Sequence, residues 1–342
     1  MATMSDVAER ARVSVSTISH VLNGTRKVSE DTREKVLAAV EELGYQHNLL
    51  AKSLRIQRTF TIGLLISDIQ NPFFTSVVRG VEDVALNRGY HLFLCNTDEN
   101  PVREDAYITE LAKKQVDGLI VASAAPRHND ARRIRFANIP AVFMDREVEG
   151  LEADAIRVDN LLGMKMAVEH LASLEHERIG LISGPLEKTS GFERYKGFEA
   201  ALSEVGFQFE ESLVRFGDFK TLSGRKGADE LLRLSKSPTA LIAANNQMTL
   251  GALLCIREKG FSIPTDVSVI GFDDMEWAPL ANPPLTTVAQ PSYEMGVKAA
   301  NMLLDKIGKS SDGATTRVLL EPSLVVREST APPAGKRERE NR

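Results

Sequence analysis

The chain has 342 residues, a formal net charge of -5 at neutral pH, and 43% hydrophobic and 26% charged side chains. This length suits a large two-lobed unit carrying a small appendage, and the composition excludes a disordered polymer while naming no activity. No apolar run approaches the roughly 18 residues of a membrane span, and the polar opening MATMSDVAERAR lacks the apolar core of a secretory signal, so no membrane association and a cytoplasmic location are expected.

The charge is unevenly spread. Residues 1–58 hold nine Lys and Arg against seven Asp and Glu, which leaves the remainder at -7. A basic end on an acidic body permits nucleic-acid binding, although a solvated helical surface has the same signature. Cys95 lies in a strand-like run and Cys255 in a helical one, without metal-ligand spacing, so both are expected as buried, reduced thiols.

In chain order, the first elements are three short helices. Ser5 is expected to cap a helix ending at Ala11, with Val7, Ala8 and Ala11 inward. A tight Arg12-Val13-Ser14 turn follows, and Ser14 caps a second helix from Val15 to Leu22. Ile18, Val21 and Leu22 give that helix an apolar stripe, while Val15, Ser16, Ser19 and His20 point elsewhere. Asn23-Gly24 ends it, Arg26 and Lys27 follow in a loop, and Ser29 starts a third helix carrying Val36, Leu37, Val40 and Leu43 before Gly44 terminates it. Periodicity alone admits a small helical bundle with no ligand. It also admits a helix-turn-helix, whose second helix enters the major groove with base edges in reach of Val15, Ser16 and His20.

The segment DVAERARVSVSTISHVLNGTRKVSEDTREKVLAAVEELGYQHNLLAKSL closely resembles, without gaps, the DNA-binding headpiece of the lactose-repressor (LacI/GalR) family. The resemblance implies a headpiece over residues 1–47 and a hinge over 48–58 that becomes helical when two subunits sit on an operator. By the same resemblance Leu54 is a wedge pushed from the minor groove into a central base step, where a flexible pyrimidine-purine step unstacks most cheaply. Read in isolation, Leu54 is a linker leucine. Carried over position by position, Val15, Ser16 and His20 read bases, Thr17 and Ser19 contact phosphate, and Asn23, Arg26, Lys52 and Arg55 contact the DNA backbone. Val15 offers only an apolar touch to a thymine methyl.

After Arg58 the texture changes to apolar runs, TIGLLIS, YHLFLC, DGLIVAS, PAVFMD, RIGLIS, TALIAAN and VSVIGF, read as buried parallel strands. Helical periods follow, as in Phe74 to Arg88, Glu104 to Gln115, Asn160 to Leu174 and Met248 to Lys259, which is the βαβ signature. The series restarts near Asp159-Asn160. The expected division is an N-lobe over about 59–159 plus 291–320, a C-lobe over about 160–290 plus 321–330, and a polar tail over 331–342. Ligands of such sheets bind beyond the carboxyl ends of the strands. That rule selects Asp68, Asn71, Phe73, Ser123, Asp145, Arg146, Asn245, Asn246 and Asp273. Each also has a plain structural role available, a turn at Asn71-Pro72 or a helix cap at Asn245 or Asn246; their convergence on one cleft favours a binding site.

The body resembles the periplasmic sugar-binding-protein fold of the same family, through NPFF, GPLEKTSGFERYKGF, GDF, AANN, PTDVSVIGFDD and PPLTTVAQP. This Rossmann-like, two-lobed α/β effector domain implies contacts to a small molecule from Phe73, Arg146, Arg194, Phe219, Asn245, Asp273 and Gln290, with Lys188, Ser190 and Trp277 as neighbours. Where many relatives read Ala-Asn-Asp, this chain reads Ala244-Asn245-Asn246. The lost carboxylate beside Arg146, Lys188 and Arg194 leans toward an anionic effector, a sugar acid or sugar phosphate, over a neutral sugar; a purine also suits the residue types.

The expected protein is therefore a homodimeric transcriptional repressor on a pseudo-palindromic operator, with a small-molecule effector and no cofactor. The tail carries no heptad of leucines, which argues for a dimer over a tail-tethered tetramer. A periplasmic solute receptor has no use for the headpiece. An enzyme finds no Gly-x-Ser-x-Gly elbow, no phosphate-binding Gly-Lys-Ser/Thr loop and no His pair at metal spacing.

Overall fold

The computed structural model describes residues 2–23, 26–45, 58–126, 139–148, 151, 153–307 and 315–334. The chain forms two compact units, Met1–Thr59 and Phe60–Arg342.

The first unit holds α1 (Met4–Ala11), α2 (Val15–Asn23) and α3 (Glu30–Glu42). Thr3, not Ser5, caps α1. Its hydroxyl accepts from the Asp6 amide at 3.3 Å while the Asp6 carboxylate accepts from the Thr3 amide at 2.7 Å, so two orphan donors are satisfied reciprocally. Arg12 takes a left-handed φ of 54° to end α1. Ser14 then accepts from the Thr17 amide, and Ser29 caps α3. Val7, Ala8, Ala11, Ile18, Val36 and Ala39 form a small core against which Val21, Leu22, Val40 and Leu43 pack. Leu37 is 47% exposed; one residue beyond Val36, it is turned about 100° away from the core stripe.

The second unit contains two six-stranded sheets. The first comprises β1 (Thr61–Ile66), β2 (His91–Asn96), β3 (Gly118–Val121), β4 (Ala141–Met144), β5 (Asp154–Val158) and β11 (Arg317–Leu320), in the order β11-β5-β4-β3-β1-β2. All its pairs are parallel. The second comprises β6 (Ile179–Ser183), β7 (Val214–Phe216), β8 (Ala240–Ala243), β9 (Ser268–Phe272), β10 (Thr286–Ala289) and β12 (Ser323–Val325), in the order β12-β10-β9-β8-β6-β7. Here β12 runs antiparallel to β10, while the other pairs of this sheet are parallel. β11 runs parallel to its sheet toward the cleft, and after only Glu321 and Pro322 the chain enters the second sheet from the carboxyl ends of its strands, so β12 must run against them.

Helices α4 (Pro72–Asn87), α5 (Pro101–Lys113) and α10 (Ser292–Lys306) pack with the first sheet, and α6 (Asn160–Ser173), α7 (Thr189–Glu204), α8 (Thr221–Leu232) and α9 (Asn246–Glu258) with the second. The chain crosses between these two lobes after β5, after β10 and after β11. Strand β2 corrects the expectation of uniformly buried strands: it lies at the sheet edge, with Phe93 43% and Leu94 41% exposed. Helices α4 and α10 cross at Gly80 and Gly296; a Cβ at either would stand 2.2–2.3 Å from a carbonyl of the other helix. Cys95 and Cys255 are buried free thiols, both pushed up by burial. Among the described residues no helix is long and apolar enough to cross a membrane.

Candidate functional site

A narrow cavity lies between the carboxyl ends of the two sheets, walled by Asp68, Asn71, Phe73, Phe74, Glu99, Asp145 and Arg146 from one lobe and by Ser190, Arg194, Phe219, Lys220, Asn245, Asp273 and Gln290 on the other side. Local chemistry aims these side chains. Asn71 and Asn245 are N-caps: Asn71 Oδ1 accepts from the Phe73 amide and Asn245 Oδ1 from the Met248 amide, each at 2.9 Å. The helix-cap role and the cleft position coincide. Asp98, Glu99, Asp145, Phe219 and Asp273 all take left-handed φ values between 52° and 77°. Such non-glycine conformations persist only where surroundings over-determine them, and Glu99, Asp145, Phe219 and Asp273 among them line the cavity.

Arg194 is 3% exposed. Its Nε donates to Asn160 Oδ1 at 2.8 Å and its Nη1 to the Ala244 carbonyl at 2.6 Å, with the guanidinium 3.8 Å over the Phe272 ring. Burial pushes its pKa down, and Asp273 and Asp145 oppose that. Arg146 donates both Nη atoms to Glu99, at 2.6 and 2.8 Å. Burial works against this ion, but Glu99 and Asp145 more than reverse the effect, so it stays charged. Burial pushes the Asp145 carboxyl up despite Arg146 and Arg194.

Contacts across the cleft hold the lobes together. Lys220 Nζ meets Asp68 at 2.7 Å and Asp98 at 3.3 Å, Asn246 Nδ2 donates to Asn71 Oδ1 at 2.6 Å, and Gln247 Nε2 to the Gln70 carbonyl at 3.3 Å. On the crossing side, Thr189 donates to the Glu147 carbonyl at 2.7 Å, and Arg157 of β5 pairs with Glu193 of α7.

Three residues selected from the sequence do not line the cavity. Ser123 is buried behind it, its hydroxyl donating to Glu104 at 2.9 Å. The Lys188 ammonium donates to the Ala124 carbonyl. Asn246 spends its carboxamide N–H on Asn71. Trp277 likewise packs on the second sheet's core. The lean toward an anionic ligand counted Arg146, Lys188 and Arg194 as available cations, and the geometry corrects that count. Glu99 holds the Arg146 fork, Lys188 stands off the wall, and the lining carries four carboxylates against three cations. Glu99, Phe74 and Lys220 are lining residues that the sequence reading missed; the strand-end rule applied after β2 reaches Glu99, and Lys220 follows Phe219 directly.

In the first unit, Val15 is 44% exposed at the start of α2, Ser16 is also exposed, and Thr17, Ser19 and His20 are half-buried. The Ser14 hydroxyl lies 2.7 Å from that of Ser16 and 2.8 Å from that of Thr17. Arg26 is exposed. The Asn23 side chain, Lys52, Leu54, Arg55 and the hinge lie outside the described residues.

Residues 3–48 match the family described as bacterial regulatory proteins, lacI family, and residues 168–330 match the periplasmic binding protein-like domain. The HTH-type transcriptional repressor PurR of Haemophilus influenzae (strain PittEE) is 37% identical over 332 residues, spanning 96% of this chain and 98% of that protein. Among solved structures, the lac repressor dimer bound to operator and the anti-inducer ONPF superposes with a TM-score of 0.85 at 31% identity, covering 96% of this chain and 99% of that one. A LacI family transcriptional regulator from Enterococcus faecium with bound ribose gives 0.71 at 32% identity over 80% of this chain and 99% of that one.

Proposed function

The chain belongs to the lacI family of bacterial regulatory proteins and is a DNA-binding transcriptional repressor, not an enzyme; from that premise we propose that it grips a pseudo-palindromic operator as a homodimer, in the cytoplasm, and that its effector is a neutral, pentose-sized sugar held between the two lobes. The α2 face of Val15, Ser16 and His20 reads bases, Thr17 and Ser19 meet phosphate, and Asn23, Arg26, Lys52 and Arg55 steady the complex, with Leu54 as the wedge. The effector contacts come from Asn71, Phe73, Asp145, Arg146, Ser190, Arg194, Phe219, Asn245, Asp273 and Gln290. Ser123, Lys188 and Asn246 support them from behind.

The observation that supports this reading is a cavity wall that mixes donor and acceptor side chains with the aromatic rings of Phe73 and Phe219. Arg194 donates; Asp145 and Asp273 accept; Gln290 Oε1 is buried with no partner among the described residues. A sugar hydroxyl both donates and accepts, so a ring of hydroxyls satisfies such a wall while its apolar face lies on Phe73 or Phe219. The acidic balance of the wall disfavours an anion, and the Enterococcus faecium regulator of this fold has ribose bound. Binding stabilises one arrangement of the lobes and thereby changes operator affinity by the same coupling free energy in both directions. Calorimetric titration with ribose, gluconate, a sugar phosphate and a purine base tests the effector class. Ribose binding supports the reading; binding only of an acid, a phosphate or a purine overturns it.

A further inference from the structure

We propose that Glu99 sets the charge class of the effector, because its carboxylate occupies from within the chain the seat that an anionic ligand would take. The inference rests on the reading of the cleft as the effector site. Arg146 offers its two-pronged fork to Glu99 at 2.6 and 2.8 Å, and the side chains are 6% and 19% exposed. Lys188 Nζ stands 3.9 Å from the same carboxylate. Burial pushes the Glu99 acid up, and Arg146, Lys188 and Lys220 together more than reverse this. A carboxylate held by a guanidinium fork with further cations around it is the arrangement that recognises anionic ligands, and this chain supplies the anion itself.

The occupant is fixed in place. Asp98 and Glu99 stand consecutively at left-handed φ values of 52° and 58°. The Glu99 amide donates to the Ser67 carbonyl at 2.9 Å and the preceding Thr97 amide to Ile66 at 2.9 Å. Directly afterwards Asn100 caps α5, accepting from the Val102 amide at 2.9 Å. The turn is therefore pinned to the end of β1 on one side and to a helix start on the other.

What the fork no longer offers decides what remains for a ligand. Arg146 Nε is buried with no hydrogen-bond partner among the described residues, and Asp145 Oδ2 stands 3.4 Å from it, outside hydrogen-bond geometry. A single N–H suits one hydroxyl oxygen. A carboxylate or phosphate arriving there finds the paired donors taken and meets the Glu99 charge at close range.

The test titrates the full-length wild type and Glu99→Gln with ribose, ribonate and ribose 5-phosphate. The wild type is expected to prefer ribose over either anion by about tenfold or more, and Glu99→Gln to shrink that ratio by on the order of tenfold. Adding Arg146→Gln to Glu99→Gln removes the gain. An unchanged ratio in Glu99→Gln overturns the proposal, as does a wild type that binds either anion as tightly as ribose, a measurement that stands even if the variant does not fold. A second arm needs no sugar: millimolar inorganic phosphate at matched ionic strength raises the thermal midpoint of Glu99→Gln above its effect on the wild type, and equal shifts overturn the proposal. Loss of all neutral-sugar binding with the phosphate arm intact defeats the effector reading and leaves the Glu99 assignment standing. Sugar binding without discrimination in either arm does the reverse.

Discussion

The Asn246 carboxamide donates to Asn71 Oδ1 at 2.6 Å, joining the first residue of α9 in one lobe to the N-cap of α4 in the other. The same oxygen accepts from the Phe73 amide at 2.9 Å, so one acceptor both caps a helix and latches the cleft. Asn246→Ala removes the latch and leaves the cap. Sugar affinity should fall roughly two- to tenfold, the net worth of about one hydrogen bond, with the urea midpoint nearly unchanged. Calorimetry that finds the affinity intact contradicts the latch.

Arg194→Lys is a test of the guanidinium itself. Asn160 Oδ1 and the Ala244 carbonyl each receive one arm of Arg194, at 2.8 and 2.6 Å, and Phe272 receives its face. A lysine ammonium cannot serve all three. Folding stability should drop by about 1–3 kcal/mol, as a buried acceptor goes unpaired, and sugar binding should be lost. Wild-type affinity in this variant removes Arg194 from the site.

Gly184 lies against the Phe219 ring so closely that a Cβ there would stand 2.2 Å from two ring carbons. Gly184→Ala therefore forces the ring away from the cavity wall. Overpacking of this kind costs about 1–3 kcal/mol, and the loss should appear in sugar affinity as well as in thermal stability. A variant with a full ring contact and unchanged affinity argues against Phe219 as the stacking face.

Buried Glu104 accepts from the Ser123 hydroxyl at 2.9 Å and from the Ala124 amide, yet burial raises its pKa above the ordinary carboxylate value. A raised folded-state value means that the folded chain binds the proton more readily than the unfolded one. Glu104 thus detracts from stability at neutral pH, and that cost is withdrawn as pH falls through the raised value. Relative to Glu104→Gln, the wild type should gain stability as pH drops from neutral toward the unfolded carboxylate range. Parallel urea midpoints across that range contradict the assignment.

The sequence shows the backbone of this arrangement more readily than its charges. Asn71 before Pro72 and Asn245 before a helical run mark strand-to-helix junctions, and junctions at the carboxyl ends of parallel strands are where a cleft forms. Strand β5, by contrast, reads Asp-Ala-Ile-Arg-Val, and its polar residues hide it: Asp154 is buried only because Lys306 and the Thr316 amide, both far away in the chain, reach it at 2.7 Å. The pairing of Glu99, though not its place at a strand end, is illegible for the same reason. Its partner Arg146 lies 47 positions away, and a local pattern cannot tell an available cation from one already paired. In the first unit the Ser14 and Ser29 caps are readable from local spacing, while the Thr3 and Asp6 capping box competes with the equally plausible Ser5.

Footprinting of the purified protein on its own upstream region, with and without ribose, tests operator binding and the cleft ligand at once. A protected pseudo-palindrome whose protection changes when ribose is added is the predicted result. Absence of any protected palindromic site, or protection that ignores every ligand the cleft binds, would contradict it.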